Sequence, residues 1–392
     1  MPVSASLPAP AGEAREHGER VRAHLHAAIA DAGGWLDFER FMSLALYAPG
    51  LGYYSAGATK LGAGGDFVTA PELGPLFAQS LARSLAPVLA EHPDAGIVEF
   101  GAGTGALAAE LLPALAALGF AVPDYAILET SAALKARQQT RIAALPGDHA
   151  SRVRWLDRLP PAAPVGIVIA NEVLDALPVR RFRVEADGVR PLGVVRDGDS
   201  FAWRIGDADA ALAREVESRL GPELAALPTG YASELCALMP AWVASALELF
   251  DSGVALFVDY GLPRREYYAP ERSGGTLRCH YRHHAHSDPF LVPGLQDITA
   301  WVDFTTVAEA AVAAGWEVAG FATQAHWLLD SGVLEVVAAP AVDARAEAER
   351  ARELRMLTMP GEMGERFRVM ALSRGVDPVP AGFGLRDLRD RL

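Results

Sequence analysis

The sequence predicts an α/β protein: a Rossmann-like, seven-stranded sheet in a three-layer sandwich, with an N-terminal helical segment and an inserted substrate-binding region. Three observations lead there. Short apolar runs alternate with helical stretches between residues 97 and 372, the pattern of an α/β fold. The stretch Ile97-Val98-Glu99-Phe100-Gly101-Ala102-Gly103-Thr104-Gly105 reads as a buried strand followed by a glycine turn. Glu129 then stands 24 residues after Gly105, at the end of a second apolar strand.

Each element follows from its local pattern. Glu13 to Ala32 is helical by composition and ends at Gly33-Gly34; Phe38 to Leu46 is a second, short helix. A glycine-rich loop from Pro49 to Phe67 precedes an amphipathic helix over Leu73 to Ala90. The core then runs as strand Ile97–Phe100, helix Ala106–Leu118, strand Ala126–Glu129, helix Ala132–Ala144 and strand Val153–Leu156. Val165–Ala170 is apolar throughout, as a parallel strand buried on both faces should be. Residues 182–205 read as a hairpin or meander, with turns at Asp187-Gly188 and Asp197-Gly198. Residues 210–250 read as mostly helical, broken at Pro228 and Gly230. Val254–Asp259 is a fifth strand, and a long irregular loop is expected from Gly261 to about Thr299. A helix over Val307–Ala314, a strand over Glu317–Phe321, a helix over Ala344–Thr358 and a strand over Phe367–Leu372 complete the alternation. A connection as long as the 261–299 loop is usually functional.

Composition narrows the function. The 392 residues include 51% apolar residues, enough for a large core or two domains. The formal net charge of −14 argues against nucleic-acid binding and would suit a cationic substrate. Lys60 and Lys135 are the only lysines, so the basic charge is almost all arginine, which reads as coding bias. No apolar run approaches the ~18–20 residues of a membrane span. Met1 to Gly12 is Pro/Ala-rich and lacks the apolar core of a signal peptide, so a loose tail is expected. Cys236 and Cys279 form no motif, which fits a reducing compartment. The chain is therefore expected in a reducing compartment such as the cytoplasm.

The glycine turn carries the ligand chemistry. Glycines let the backbone approach a ligand, and the following helix N-terminus offers free N–H groups. A carboxylate at the end of the second strand can accept both hydroxyl protons of a ribose, the role expected of Glu129. Gly101, Gly103 and Ala106 also satisfy the dinucleotide pattern. The short Gly-x-Gly-x-Gly form, with Glu99 two residues before the first glycine, is associated with S-adenosylmethionine rather than NAD. The strand also begins some 95 residues into the chain, later than dinucleotide domains often do.

At the end of the fourth strand stands Ala170-Asn171-Glu172-Val173-Leu174-Asp175-Ala176-Leu177-Pro178. Ligands of open α/β sheets bind beyond the carboxyl ends of the strands, so Asn171, Glu172 and Asp175 are candidate catalytic residues. Glu172 and Asp175 could share one face of a helical turn, and Asn171 or Asp175 could instead cap a helix. Paired carboxylates would hold a guanidinium through bidentate hydrogen bonds, polarise it and later take its proton. In Gly64-Gly65-Asp66-Phe67-Val68-Thr69-Ala70-Pro71-Glu72, Asp66 and Thr69 are candidate lid contacts, while Pro71 and Glu72 also suit a helix first turn. His283, His284 and His286 are close enough to be metal ligands, but no second ligand cluster accompanies them. No metal is expected, and the segment around His280 reads as a polar substrate loop.

With these segments read, the chain resembles the MidA-like family, which is related to a mitochondrial complex I assembly factor. The matching blocks include Phe41-Met42 with Tyr47 and Gly52-Tyr53-Tyr54, then Gly65–Glu72, Glu99–Gly105 and Ala170–Pro178. They continue with Val258-Asp259-Tyr260-Gly261, Gly275-Thr276-Leu277-Arg278-Cys279 and Pro293–Ala300. The resemblance implies a class I S-adenosylmethionine-dependent methyltransferase acting on an arginine of a protein partner, a respiratory-complex subunit being one such partner. It implies Glu99, Gly101, Gly103, Gly105 and Glu129 at the donor, with Trp155 or Leu156 near the adenine and Asp66 and Thr69 over it. It implies Asn171, Glu172 and Asp175 toward the acceptor, with Tyr260, His280, Asp297 and Thr299 on the substrate side. Trp301 departs from the family pattern, which has histidine there, so no proton-transfer role attaches to that position. The expected division is a helical segment and lid over 1–75, a core over 76–181 and 251–375, an inserted substrate region over 182–250 and 261–300, and a tail over 376–392. A small-molecule O- or N-methyltransferase, an NAD-dependent oxidoreductase and a non-catalytic donor-binding assembly factor are the competing readings.

Overall fold

The computed structural model describes residues 7–56 and 68–392. These residues form two units. One, the parallel-sheet unit, comprises Val68–Asp175, Met239–Pro263 and Val302–Leu392. The other, the accessory unit, comprises residues 7–56 with Ala176–Leu238 and Arg264–Trp301.

The parallel-sheet unit holds strands β1 (Gly96–Phe100), β2 (Tyr125–Leu128), β3 (Val153–Leu156), β4 (Ala163–Asn171), β5 (Phe250–Leu262), β6 (Glu317–Thr323) and β7 (Phe367–Arg374). They are hydrogen-bonded in the order β3-β2-β1-β4-β5-β7-β6, with the short strand Val302–Asp303 paired to the end of β5. Strands β1 to β5 run parallel, and β7 runs antiparallel to both β5 and β6. The seven expected strands are therefore present. The order reverses direction between β1 and β4, which makes that crevice the switch point where α/β sheets bind ligands.

Burial on both faces explains the continuous apolar runs. On β5, Val254, Leu256 and Val258 pack with Leu81 and Leu85 of helix Leu76–Glu91 and with Leu111 of helix Ala106–Ala117. The intervening Ala255 and Phe257 are buried too, and Phe257 meets Trp242 of helix Met239–Leu247 with ring centroids 5.9 Å apart. Strands β4 and β5 approach closely at Gly166, where an added Cβ would stand 2.1 Å from the Phe250 ring.

The accessory unit is antiparallel. Its five-stranded sheet contains Leu36–Asp37, Gly188–Asp197, Arg180–Glu185 and Ala232–Leu235 in that order, with Ser200–Ile205 on Gly188–Asp197. Helix Glu13–Asp31 buries Val21, Leu25 and Ile29, a stripe at four-residue spacing, in a core shared with Phe38, Phe41 and Phe201. Asp37 caps helix Phe38–Tyr47 by accepting from Glu39 N.

Four segments differ from the sequence reading. Within 210–250, read as mostly helical, Ala232–Leu235 is a strand. Its Glu234 is buried and is held by Arg181 at 3.5 Å and by Thr276 N at 2.5 Å, so tertiary partners override a weak strand sequence. The expected irregular loop contains a three-stranded sheet of Arg278–Tyr281, His284–His286 and Asp297–Thr299. Strands this short show no periodicity. Their tight turn uses Arg282 and His283 at φ 48° and 62°, where Asn and Gly would be the usual signal. Helices Gln324–Asp330 and Val333–Ala338 lie between elements that the sequence did distinguish. Residues 376–392, set apart by sequence as a tail, run along the parallel-sheet unit: Ala381 N donates to Ser84 O at 2.9 Å and Leu388 N to Phe321 O at 2.7 Å. Among the described residues no helix is long and apolar enough to cross a membrane.

The β4–β5 contact generates a stability prediction. Gly166→Ala should cost about 1–3 kcal/mol by overpacking against Phe250, read as a lower urea midpoint at unchanged slope. A midpoint equal to the parent's would show that the Phe250 ring moves aside freely.

Candidate functional site

The first half of the site is the turn after β1. Gly101, Gly103 and Gly105 all have positive φ, at 64°, 55° and 83°. At Gly101 a Cβ would also meet Val173 Cγ2 at 2.6 Å, so conformation and contact both require glycine there. Gly105 is the left-handed N-cap of helix Ala106–Ala117 and supplies no side chain to it, which leaves the first N–H groups of the helix for an anionic or polar ligand.

Glu129 follows β2 and is almost fully buried. Its Oε1 accepts from Ser131 N at 2.7 Å and its Oε2 from Gln138 Nε2 at 2.9 Å. Burial raises its pKa, while the bonds from Ser131, Gln138 and Thr130 oppose the rise. Trp155 and Leu156 end β3 next to it, and Glu129 N donates to Leu156 O at 3.1 Å. This donor set fits a nucleoside: a glycine cradle for backbone approach, a fixed carboxylate for a ribose and a half-buried indole for a base.

Glu99 lies deeper, within β1. Its carboxylate accepts from Tyr125 OH at 2.8 Å, and burial pushes its pKa up to about 7. Thr69 sits in extended backbone before the short helix Ala70–Leu73 and makes no side-chain cap. Pro71 and Glu72 do occupy that helix, as their residue types suggest. Glu72 is bound by Arg141 at 3.1 Å and by Thr104 Oγ1, tying this segment to the glycine turn. Asp66 lies outside the described residues.

The second half is the loop after β4. Residues 172–175 form a turn and not a helix, so the helical face proposed for Glu172 and Asp175 does not exist, nor does a helix for Asn171 or Asp175 to cap. Asp259, on β5, holds this turn. Its Oδ2 accepts from Val173 N at 3.1 Å, Leu174 N at 2.8 Å and Asp175 N at 3.2 Å, and its Oδ1 from Tyr260 N at 2.8 Å. Three consecutive N–H groups thus find their acceptor in one side-chain oxygen. Glu172 is held at φ 54°, a left-handed conformation uncommon outside glycine, with its N–H on Val258 O at 2.8 Å. Glu172 Oε1 accepts from Asn171 Nδ2 at 3.3 Å and Ala70 N at 3.4 Å. Asn171 Oδ1 is buried with no hydrogen-bond partner among the described residues.

Tyr260 stands in the same unit and packs on Phe367 with ring centroids 3.8 Å apart. Burial, together with the charges of Glu172, Asp175 and Asp259, raises its pKa well above that of an ordinary phenol. His280, Asp297 and Thr299 lie in the accessory unit, where His280 is cross-strand from Asp297 and Arg278 from Thr299. That register puts all three on one face of the small sheet, opposite Cys279 and Ile298. Tyr54 OH donates to Asp297 Oδ1 at 2.9 Å. Of the loop histidines, His284 Nδ1 lies 2.7 Å from Arg282 O and His286 Nδ1 accepts from Asp288 N at 3.2 Å. Among the described residues no group of three or more His, Cys, Asp or Glu side chains could hold a metal ion. Trp301 donates its backbone N–H to Thr276 Oγ1 at 2.9 Å and lies under the Arg272 guanidinium at 5.3 Å.

Gln138 and Asp259 were missed as site residues. The strand-end rule that singled out Asn171 applies equally to Asp259. Gln138 faces inward four residues before Ile142, but its residue type gives no local signal of that.

Two predictions follow from the buried acids. Asp259→Ala should destabilise the protein by about 2 kcal/mol or more, because each buried N–H left unpartnered costs about 1–3 kcal/mol, whereas Asp259→Asn retains an acceptor and should lose less. Equal urea midpoints for the two variants would exclude the acceptor role. Glu99, with a folded pKa raised from 4.5 to about 7, binds a proton more tightly folded than unfolded, so its contribution is present below pH 4.5 and lost as pH rises through 7. Glu99→Gln should therefore flatten the fall in stability between pH 5 and 8; an unaltered profile in denaturant titrations would refute this.

Comparisons with known proteins agree with this geometry. Residues 79–322 match the family described as "Putative S-adenosyl-L-methionine-dependent methyltransferase". A crystal structure of a COG1565 superfamily member from Burkholderia thailandensis, bound to S-adenosyl-homocysteine, is 45% identical, with a TM-score of 0.93 over 99% of this chain and 100% of that one. The Danio rerio protein arginine methyltransferase NDUFAF7, mitochondrial, is 28% identical over 89% of this chain and 86% of its own length. The Drosophila melanogaster homolog of NDUFAF7 is 29% identical over 92% and 86%. With its class I methyltransferase fold, the chain belongs to this MidA-like family of S-adenosylmethionine-dependent methyltransferases.

Proposed function

We propose that this methyltransferase acts on an arginine side chain of a protein partner. The observation that carries the reading is the acidic turn at the end of β4, in which Asp259 fixes the backbone under Glu172 and Asp175. The Danio rerio and Drosophila melanogaster relatives, named protein arginine methyltransferases, support the same substrate class.

In this reading Glu129 takes the ribose hydroxyls of the donor, and the turn Gly101–Gly105 lies along its amino-acid end. Glu99, Thr69 and Asp66 are the further donor-side residues proposed, with Trp155 or Leu156 at the adenine. S-adenosylmethionine supplies an electrophilic methyl on a sulfonium, which requires a nucleophile aligned in line and shielded from water. Glu172 and Asp175 hold the guanidinium through charge-assisted hydrogen bonds and polarise it toward one nitrogen. Asn171 Oδ1, buried and unpartnered among the described residues, accepts an N–H of the acceptor. A guanidinium that gains a methyl must release one proton, and a carboxylate of the pair receives it. Tyr260, its pKa raised by burial and by the neighbouring carboxylates, is proposed to donate a hydrogen bond and not to serve as the base. His280, Asp297 and Thr299 are proposed to contact the partner chain. The net charge of −14 suits a basic partner segment, and a cytoplasmic setting fits the two-cysteine composition.

The test is methyl transfer from labelled donor into an extract lacking the endogenous enzyme, followed by acid hydrolysis and amino-acid analysis. Label recovered as methylarginine supports the proposal; label confined to small molecules would replace it with the small-molecule reading. Glu172→Gln and Asp175→Asn should each lower turnover at least tenfold while leaving S-adenosylhomocysteine affinity within about threefold. Full turnover in both would remove these residues from catalysis. Glu129→Ala should weaken S-adenosylhomocysteine binding by roughly 1–3 kcal/mol, the cost of a lost charge-assisted hydrogen bond. An unchanged dissociation constant in calorimetry would move the ribose elsewhere.

A further inference from the structure

Helix Ala132–Ala143 turns two side chains fully inward, Ile142 and Gln138. Gln138 has no solvent exposure, and its amide makes three hydrogen bonds. Nε2 donates to Gly103 O at 2.9 Å and to Glu129 Oε2 at 2.9 Å, and Oε1 accepts from Trp155 Nε1 at 2.9 Å. Both amide hydrogens are thus committed. The backbone contributes as well: a Cβ on Gly105 would lie 3.3 Å from Gln138 Cα, so this helix is seated directly on the third glycine.

We propose that Gln138 is a positioning residue that fixes, through one amide, the three parts of the donor site: the glycine turn, the ribose carboxylate and the indole beside the base. The inference rests on reading Glu129 and Trp155 as donor contacts. The three partners come from separate strand ends, and Gln138 is the side chain that bonds to all of them. The residue type follows from the chemistry. The carboxylate and the glycine carbonyl need donors, while the indole N–H needs an acceptor. A primary amide supplies both kinds of group, whereas a carboxylate would lack the donors and repel Glu129. A lysine would occupy the lone pairs that the ribose requires, and an apolar side chain would leave three buried polar groups unpartnered. With Oε1 held by Ser131 and Oε2 by Gln138, the Glu129 carboxylate is fixed from both ends before a donor arrives.

A double-mutant cycle on S-adenosylhomocysteine affinity, measured by calorimetry, tests this. Gln138→Met should raise the dissociation constant about tenfold or more. If it acts through Glu129, combining it with Glu129→Ala should weaken binding by less than threefold beyond Glu129→Ala alone. A dissociation constant within twofold of the parent, or losses that multiply in the double variant, would overturn the proposal. A merely structural role predicts multiplying losses. If Gln138→Met does not fold, the isosteric Gln138→Glu carries the same two expectations. If Glu129→Ala itself leaves affinity unchanged, the donor placement is wrong and this inference falls with it. If Glu129→Ala weakens binding and the Gln138 variants do not, the placement stands and the bridge alone is refuted.

Discussion

Three consecutive backbone N–H groups leave the end of β4 with no strand to receive them, and one oxygen of Asp259 on β5 takes all three. Everything proposed for the acceptor side depends on that convergence. It curls residues 173–175 around a fixed point and stabilises Glu172 at a positive φ that a non-glycine residue adopts only under constraint. It also brings Val173 against Gly101, so the turns after β1 and β4 are built on one another at the switch point. The first N–H groups of any segment leaving a strand lack internal partners, and here a side chain of the neighbouring strand supplies the acceptor.

The buried acids of the parallel-sheet unit have different tasks, and their surroundings separate them. Asp259 is pushed up to about 7 by burial despite four backbone donors. Glu99 is also pushed up to about 7, with Tyr125 OH as its partner. Both are costly to keep ionised. Glu129 is buried too, and bonds at both oxygens oppose the rise in its pKa, which suits the role proposed for it as acceptor of ribose hydroxyls. Environment, more than residue type, sets how readily each acid keeps its charge.

The parallel sheet was legible because its signals are long and redundant: apolar β4 and β5, the glycine turn, and Glu129 at ribose spacing. The accessory unit was harder to read for a physical reason. Ala232–Leu235 is a strand because Arg181 and Thr276 neutralise and anchor Glu234, information that lies about 40–50 residues away in either direction. The hairpin at Arg282-His283 lacks Asn and Gly, so local turn chemistry gave no signal. Among site residues, the sequence displayed those at strand ends and beside glycines. It hid Gln138, whose significance arises only when three other strand ends converge on its amide.

The two halves of the proposed site differ in how they are held, and the difference suits the task proposed for each. The donor half is fixed mainly by side chains: Gln138 links the glycine turn, Glu129 and Trp155, while Glu72 and Arg141 clasp Thr104. An adenosine has constant shape, so rigid preorganisation improves affinity without loss of scope. The acceptor half is fixed at the backbone by Asp259, whereas Asn171 keeps a buried oxygen without a partner among the described residues. An unpartnered buried acceptor costs stability. In the proposed reading that cost is recovered when a substrate N–H fills the position, which makes binding energy available to align the nucleophile.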